Sequence, residues 1–148
     1  MVTPLWTIGY EGFTADEWLD SLAASGVQTV VDVREMPLSR KPGFSKSRLP
    51  DALRARGIEY VHLRSLGNPK EYRHRLRDGW SFDEFEREFR CVLEQQTEAL
   101  EALSSMALSE RVCLVCFEED PTRCHRSIVA EYVASRTPEL RVSHLRYA

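Results

Sequence analysis

Apolar positions along the chain follow two periods. Residues 27–33 are mostly β-branched, with four valines, as a strand buried on both faces of a parallel sheet would be. Residues 111–117 read the same way. Shorter strand patterns lie at 5–9, 58–63 and 140–145. Between them the period lengthens to that of helices. Thr14 with Glu17 fits a capping box, Trp18, Leu19, Leu22 and Ala23 form one stripe, and Gly26 is placed to end the helix. A short helix starts near Ser47 and carries Leu49 and Leu53, with Pro50 in its first turn and Gly57 at its end. Ser81 and Glu84 form a second capping box. The helix it opens carries Phe85, Phe89, Val92, Leu93, Leu100 and Leu103. A last helix covers about 124–135. Leu66-Gly67-Asn68-Pro69 is turn chemistry, and the polar, basic segment from there to Asp78 carries no clear period.

Strands alternating with helices predict an α/β fold: one domain over 1–148, with an open, mainly parallel sheet of about five strands and helices on both faces, a Rossmann-like three-layer arrangement. Ligands of such sheets bind beyond the carboxyl ends of the strands at a topological switch point. With strand order 3-2-1-4-5, the exits of strands one and four, Gly9-Tyr10 and the stretch after Cys116, would face each other there.

Composition narrows the class. No apolar run nears the roughly 20 residues that span a bilayer, so no membrane partner is expected. The amino-terminal residues lack a basic region and are not read as a signal peptide. The expectation is a cytoplasmic protein with reduced thiols, since four cysteines at 91, 113, 116 and 124 are too few and irregular for a disulfide framework. Cys91, inside a helix, is expected in the core. The net charge of −3 hides an asymmetry: residues 34–77 hold twelve Lys/Arg against four acids. A block of that sign near a ligand-binding edge points to an anionic partner. The common nucleotide fingerprints, G-x-x-x-x-G-K and G-x-G-x-x-G, are absent, and the sequence names no cofactor.

The densest chemistry lies at 116–127, Cys-Phe-Glu-Glu-Asp-Pro-Thr-Arg-Cys-His-Arg-Ser, between a strand and a helix. Cys124 at the helix start is expected to be partly thiolate, and Arg126 offers a fork for phosphate or carboxylate. His125 is a candidate activator of the thiol, although neighbouring helix residues diverge by about 100° and argue against a direct pair. Glu118 at the strand end is a candidate general acid or base, and equally a salt-bridge partner for Arg34 or Arg126. Cys113 and Cys116 have C-x-x-C spacing, but within a strand they point to opposite faces, which argues against a redox motif. The Cys116-to-Arg123 spacing is one residue longer than a Cys-x5-Arg phosphatase loop, and three carboxylates in the loop would repel phosphate. Cys116, Cys124 and His125, with His62, are candidate zinc ligands, although zinc spacing within one loop is not met. No metal is assigned from the sequence.

Taken together these residues resemble the domain of unknown function 488 family. The matching pieces are Gly9-Tyr10, Asp32-Val33-Arg34, Pro37, Ser39, Arg40, Gly43-Phe44, Gly57-Ile58-Glu59-Tyr60, Leu66-Gly67, Cys116, Glu118 and Cys124-His125-Arg126-Ser127. The chain departs at Asn68-Pro69, where many relatives resemble Leu-Gly-Gly. The resemblance implies a small α/β domain with Arg34, Glu118, Cys124, His125 and Arg126 grouped together, and no established activity. The expected site therefore has Glu118, Cys124 and His125 in catalytic roles. Arg34, Arg40, Arg126 and Ser127 would hold the anion, and Gly9, Tyr10, Asp32 and Cys116 would form the wall. The leading reading is an enzyme or ligand-binding domain for an anionic, phosphorylated or nucleotide-like small molecule. The alternatives are nucleic-acid binding through the 34–77 block and a thiol redox or zinc-sensing module.

Overall fold

Strands whose every side chain is buried must sit inside a sheet covered on both faces. Two strands meet this condition: β2 (Thr29–Asp32) and β4 (Val112–Cys116). In the computed structural model, which describes residues 2–36, 39, 41–45 and 47–146, they are adjacent at the centre. With β1 (Thr3–Gly9), β3 (Glu59–His62) and β5 (Leu140–Leu145) they form a sheet of order β3-β2-β4-β1-β5, parallel at every pairing. The sequence leaves the order open, and the order seen differs from the 3-2-1-4-5 used there as a trial arrangement. β4, buried at all five positions, inserts between β2 and β1, and β1 uses its other edge for β5. Strands one and four are still neighbours, with Gly9 opposite Cys116.

Helix α1 (Ala15–Ser25) is set by the capping box read from the sequence. Glu17 N–H donates to Thr14 Oγ1 (3.2 Å), the Glu17 carboxylate accepts from Thr14 N–H (2.9 Å), and Gly26 ends the helix in the left-handed conformation. Thr14→Ala is expected to cost about 1 kcal/mol, or roughly 2–4 °C in Tm for a chain of this size, measurable by thermal unfolding. Its buried Trp18, Leu19 and Leu22 pack with Leu49 and Leu53 of α2 (Leu49–Arg54) against one face of the sheet.

The opposite face is covered by α4 (Phe82–Glu94), α5 (Thr97–Ser109) and α6 (His125–Arg136). The single helix expected after Ser81 is two, broken at Gln95–Gln96. The break lets Phe85, Phe89 and Leu93 on one helix and Leu103 and Ala107 on the other reach the same core. Cys91 is exposed rather than core, because the buried stripe of α4 runs 85, 89, 93 and leaves 91 on another side. The unassigned segment before Asp78 forms α3 (Lys70–Arg77), which buries no residue fully and half-buries only Tyr72 and Leu76 against the core. Among the described residues no helix is long and apolar enough to cross a membrane.

The chain leaves β1 and β2 toward the α1/α2 face and leaves β4 toward the α6 face. The carboxyl ends of β2, β4 and β1 therefore form the switch point, where a crevice is expected.

Candidate functional site

At the exit of β2, Asp32 is fully buried and accepts four hydrogen bonds. Arg34 supplies three of them, from its backbone N–H (3.0 Å), Nε (2.9 Å) and Nη2 (2.7 Å), and the Tyr60 hydroxyl supplies the fourth (2.6 Å). Arg34 Nη1 donates to the Phe44 carbonyl (2.8 Å) and the Tyr10 hydroxyl (3.3 Å). Phe44 stacks on Tyr10, with ring centroids 4.4 Å apart. Burial and its bond to Asp32 push the Tyr60 phenol above its usual range, so it stays a donor. Four of the five guanidinium N–H groups of Arg34 thus serve the fold, fixing the loop that begins at Glu35.

At the exit of β4 the backbone passes so close to Gly9 that a Cβ there would lie 1.7 Å from the Glu118 carbonyl oxygen. Beneath this crossing lies Arg126, with no exposed surface. Its Nε donates to Thr7 Oγ1 (3.1 Å), Nη1 donates to the Glu118 carbonyl, and Nη2 donates to the Glu119 carbonyl (3.3 Å). Thr7, having accepted from Arg126, can donate to His144 Nδ1 (2.6 Å). Arg146 closes the loop from outside with two bonds to the Glu119 carboxylate (2.8 and 2.9 Å).

Between these two exits lie the thiols. Cys124 is the N-cap of α6 and has extended backbone angles (φ −131°, ψ 138°). It is therefore outside the helical geometry that would splay it from His125. His125 Nδ1 lies 4.0 Å from Cys124 Sγ and 3.5 Å from Cys116 Sγ, and all three ligand atoms fall within 4.8 Å of one another. On its other side His125 Nε2 is 2.6 Å from the Val33 carbonyl. A carbonyl only accepts, so Nε2 carries a proton and Nδ1 faces the sulfurs. Burial alone would push the Cys124 thiol up. Hydrogen bonds from Cys116 and His125, with the positive charges of His125 and Arg126, outweigh it and hold Cys124 well below the usual thiol range. Cys116 moves the opposite way, raised by its hydrogen bond to Cys124 and by burial. Of the two thiols, Cys124 is the one favoured in the charged form.

A family model described as domain of unknown function DUF488 matches residues 14–133, most of the chain. The chain belongs to the DUF488 family. No curated protein and no solved structure matches it.

The DUF488 segments that carry the resemblance converge in space. Tyr10, Arg34, Cys116, Glu118, Cys124 and His125 all line one cavity of about 460 Å³ at the switch point, which is also walled by Ser39, Asn68, Arg73 and Arg123. Burial first, then the negative charges of Cys124 and Glu11, push the Glu118 carboxyl above its usual range. Among the described residues Glu118 has no ion pair, so neither salt bridge considered for it forms. Arg126 does not present a fork to the cavity, because its three nitrogens face protein acceptors. Ser127 is likewise turned away, its hydroxyl facing the Pro121 (2.6 Å) and Cys124 (2.8 Å) carbonyls. Arg40 lies outside the described residues. His62 is separate from the thiols and sits 2.7 Å from the Arg34 carbonyl. Cys113 packs in the α1/α2 core on the face opposite Cys116. Two contributors are absent from the site expected from the sequence. Arg123 entered only through the Cys-x5-Arg comparison, which its spacing and the loop carboxylates argue against. Thr7 did give a signal, since a hydroxyl inside an apolar strand must find a partner when buried.

Proposed function

We propose that the cavity binds a small anionic molecule and presents it to Cys124, the reactive group of a thiol-dependent enzyme or binding domain. The carrying observation is that Cys124 Sγ sits at the cavity wall with His125 Nδ1 on one side and the Cys116 thiol on the other. A thiolate held by an imidazole at a helix start is the activated form of a sulfur nucleophile. Glu118, protonated to higher pH than an ordinary carboxyl, is suited to give a proton to a leaving group. The anion would be met by Arg123, which is exposed and lines the cavity, and by the remaining N–H of Arg34. These take over the role expected of Arg126. Nucleic-acid binding needs an uncompensated positive field. Much of the 34–77 block is neutralised locally: Arg34 faces Asp32, Arg54 faces Asp51, Arg56 faces Asp20, Arg73 faces Glu35, Arg75 faces Glu71 and Arg77 faces Asp78.

The test is alkylation by a small uncharged reagent, read by mass spectrometry for each cysteine across pH, with exposed Cys91 as internal reference. A depressed thiol keeps its thiolate as pH falls below about 8.5, the ordinary value, and loses it only on passing its own lower value. Cys124 is therefore expected to keep its reaction rate through neutrality. Phosphorylated or carboxylated small molecules are expected to slow that reaction in the native chain, and less so in Arg123→Ala. A Cys124 rate that climbs only above pH 8.5, with no protection by any anion, would overturn the reading.

A further inference from the structure

We propose that Cys116, Cys124 and His125 form a three-ligand site for a thiophilic d10 cation, Zn²⁺ or Cu⁺, at the wall of the same cavity. The inference shares the pocket with the reading above but stands on geometry alone and does not require Cys124 to be a nucleophile. The two Sγ atoms and Nδ1 lie within 4.8 Å of one another, and all three residues are buried. Bonds of about 2.3 Å to sulfur and 2.0–2.1 Å to nitrogen place ligand atoms roughly 3.5–3.8 Å apart around a tetrahedral centre. The His125 Nδ1 separations of 3.5 and 4.0 Å already lie close to that range. Binding therefore asks for a contraction of about 1 Å or less, within reach of side-chain rotation.

The ligands are also pre-oriented. In metal sites the ring nitrogen not bound to metal usually donates to a carbonyl or carboxylate, which fixes the tautomer and the ring plane. The Val33 carbonyl does this for His125 at 2.6 Å, so that a cation displacing the Nδ1 proton meets a lone pair already aimed toward the sulfurs. Cys116 is held at the end of β4, and Cys124 and His125 at the start of α6. The packing of these two elements thus supplies the convergence that spacing within one loop does not. The donor set is two sulfurs and one imidazole with no oxygen, which selects against Mg²⁺ and Ca²⁺ and for soft cations. Two thiolates with Zn²⁺ leave no net charge. With Cu⁺ they leave one negative charge, which the buried guanidinium of Arg126 offsets. Three protein ligands leave a further coordination position, and the cavity lined by all three residues gives a small molecule access to it. A bound cation occupies Cys124 Sγ, so metal binding and thiol reactivity exclude each other.

The experiment uses the full, reduced, chelator-treated chain. It is titrated with Zn²⁺ against a chromophoric chelator, and anaerobically with Cu⁺ against a chromogenic Cu⁺ chelator. One cation per chain is expected in at least one arm, and the arm that binds names the metal. Cys116→Ser and His125→Ala are each expected to weaken binding at least about 100-fold, whereas Cys91→Ser leaves it unchanged. A measurement without variants guards against misfolding: the bound cation should protect Cys116 and Cys124 from alkylation and leave Cys91 reactive. Absence of stoichiometric binding in both arms overturns the site, as does binding that survives Cys116→Ser or protection that falls on Cys91. No stoichiometric binding of either cation, together with fast alkylation of Cys124 at neutral pH, would sink the metal site and leave the thiol reading intact. Tight binding with a Cys124 inert in the metal-free chain would do the reverse.

Discussion

Arg126→Met is expected to lower the melting temperature by roughly 6–12 °C. Three acceptors lose a charged donor: Thr7 Oγ1 and the carbonyls of Glu118 and Glu119. A hydrogen bond to a charged group contributes about 1.5–3 kcal/mol, and a buried acceptor left unpaired bears its own desolvation cost. Against this stands the relief of no longer burying a cation, and methionine refills most of the volume. The balance is on the order of 3 kcal/mol, and each kcal/mol moves Tm by about 2–4 °C in a chain this size. The chemistry should shift too. The Arg126 charge is one of several influences that lower the Cys124 thiol, after the bonds from Cys116 and His125 and the charge of His125. Its removal should raise, but not normalise, the pH at which Cys124 begins to alkylate. Arg126→Lys separates the two roles. The charge is kept and the three-pronged geometry is lost, so the alkylation profile should stay near that of the native chain while part of the Tm loss remains. A methionine variant as stable as the native chain would refute the role given to Arg126.

Arg126 also shows where reading the sequence stopped short. The residue was found at once, because a guanidinium beside Cys-His at a helix start invites a ligand. Whether those donors meet a ligand or the chain's own carbonyls depends on how close the loop after β4 passes to β1, which no local pattern encodes. Signals carried within a few residues did survive. The Thr14 capping box, the Gly26 stop, the two fully buried strands and the placing of Gly9, Asp32 and Cys116 at the carboxyl ends of adjacent strands all follow from local periodicity and βα alternation, although Gly9 and Asp32 do not themselves line the cavity.

The misses lie where a nonlocal contact overrides a local rule. α3 has almost no apolar stripe and is held by half-buried Tyr72 and Leu76. The break at Gln95–Gln96 serves a core that the helix cannot reach while straight. The helical divergence that argued against a Cys124–His125 pair fails because Cys124 is a cap with extended backbone, one position before the rule applies. Strand order depends on β4 taking the doubly covered centre, a contest among all five strands.

Gly9→Ala is expected to damage the site more than any change to a residue that faces the cavity. Gly9 does not have a left-handed backbone, so the cost is wholly steric. The new methyl would stand 1.7 Å from the Glu118 carbonyl oxygen and 2.4 Å from its carbonyl carbon. Both partners are backbone, on a central strand and on a loop clamped by Arg126 and Arg146, so neither can rotate away. Relief requires β1 and the loop to separate by more than an ångström. That movement strains the bonds from Tyr10 N–H to the Cys116 carbonyl (3.1 Å) and from Glu11 N–H to the Phe117 carbonyl (2.9 Å), with those of Arg126. Overpacking typically costs about 1–3 kcal/mol, and a backbone-to-backbone clash belongs at or above the top of that range. A Tm fall of roughly 6–12 °C follows. Because the displaced loop starts at Cys116 and carries Glu118, the paired readout is alkylation: Cys124 should lose its reactivity at neutral pH even in the fraction that remains folded. A Gly9→Ala chain that melts with the native protein and keeps that reactivity would show that the loop after β4 does not pass where the structure places it.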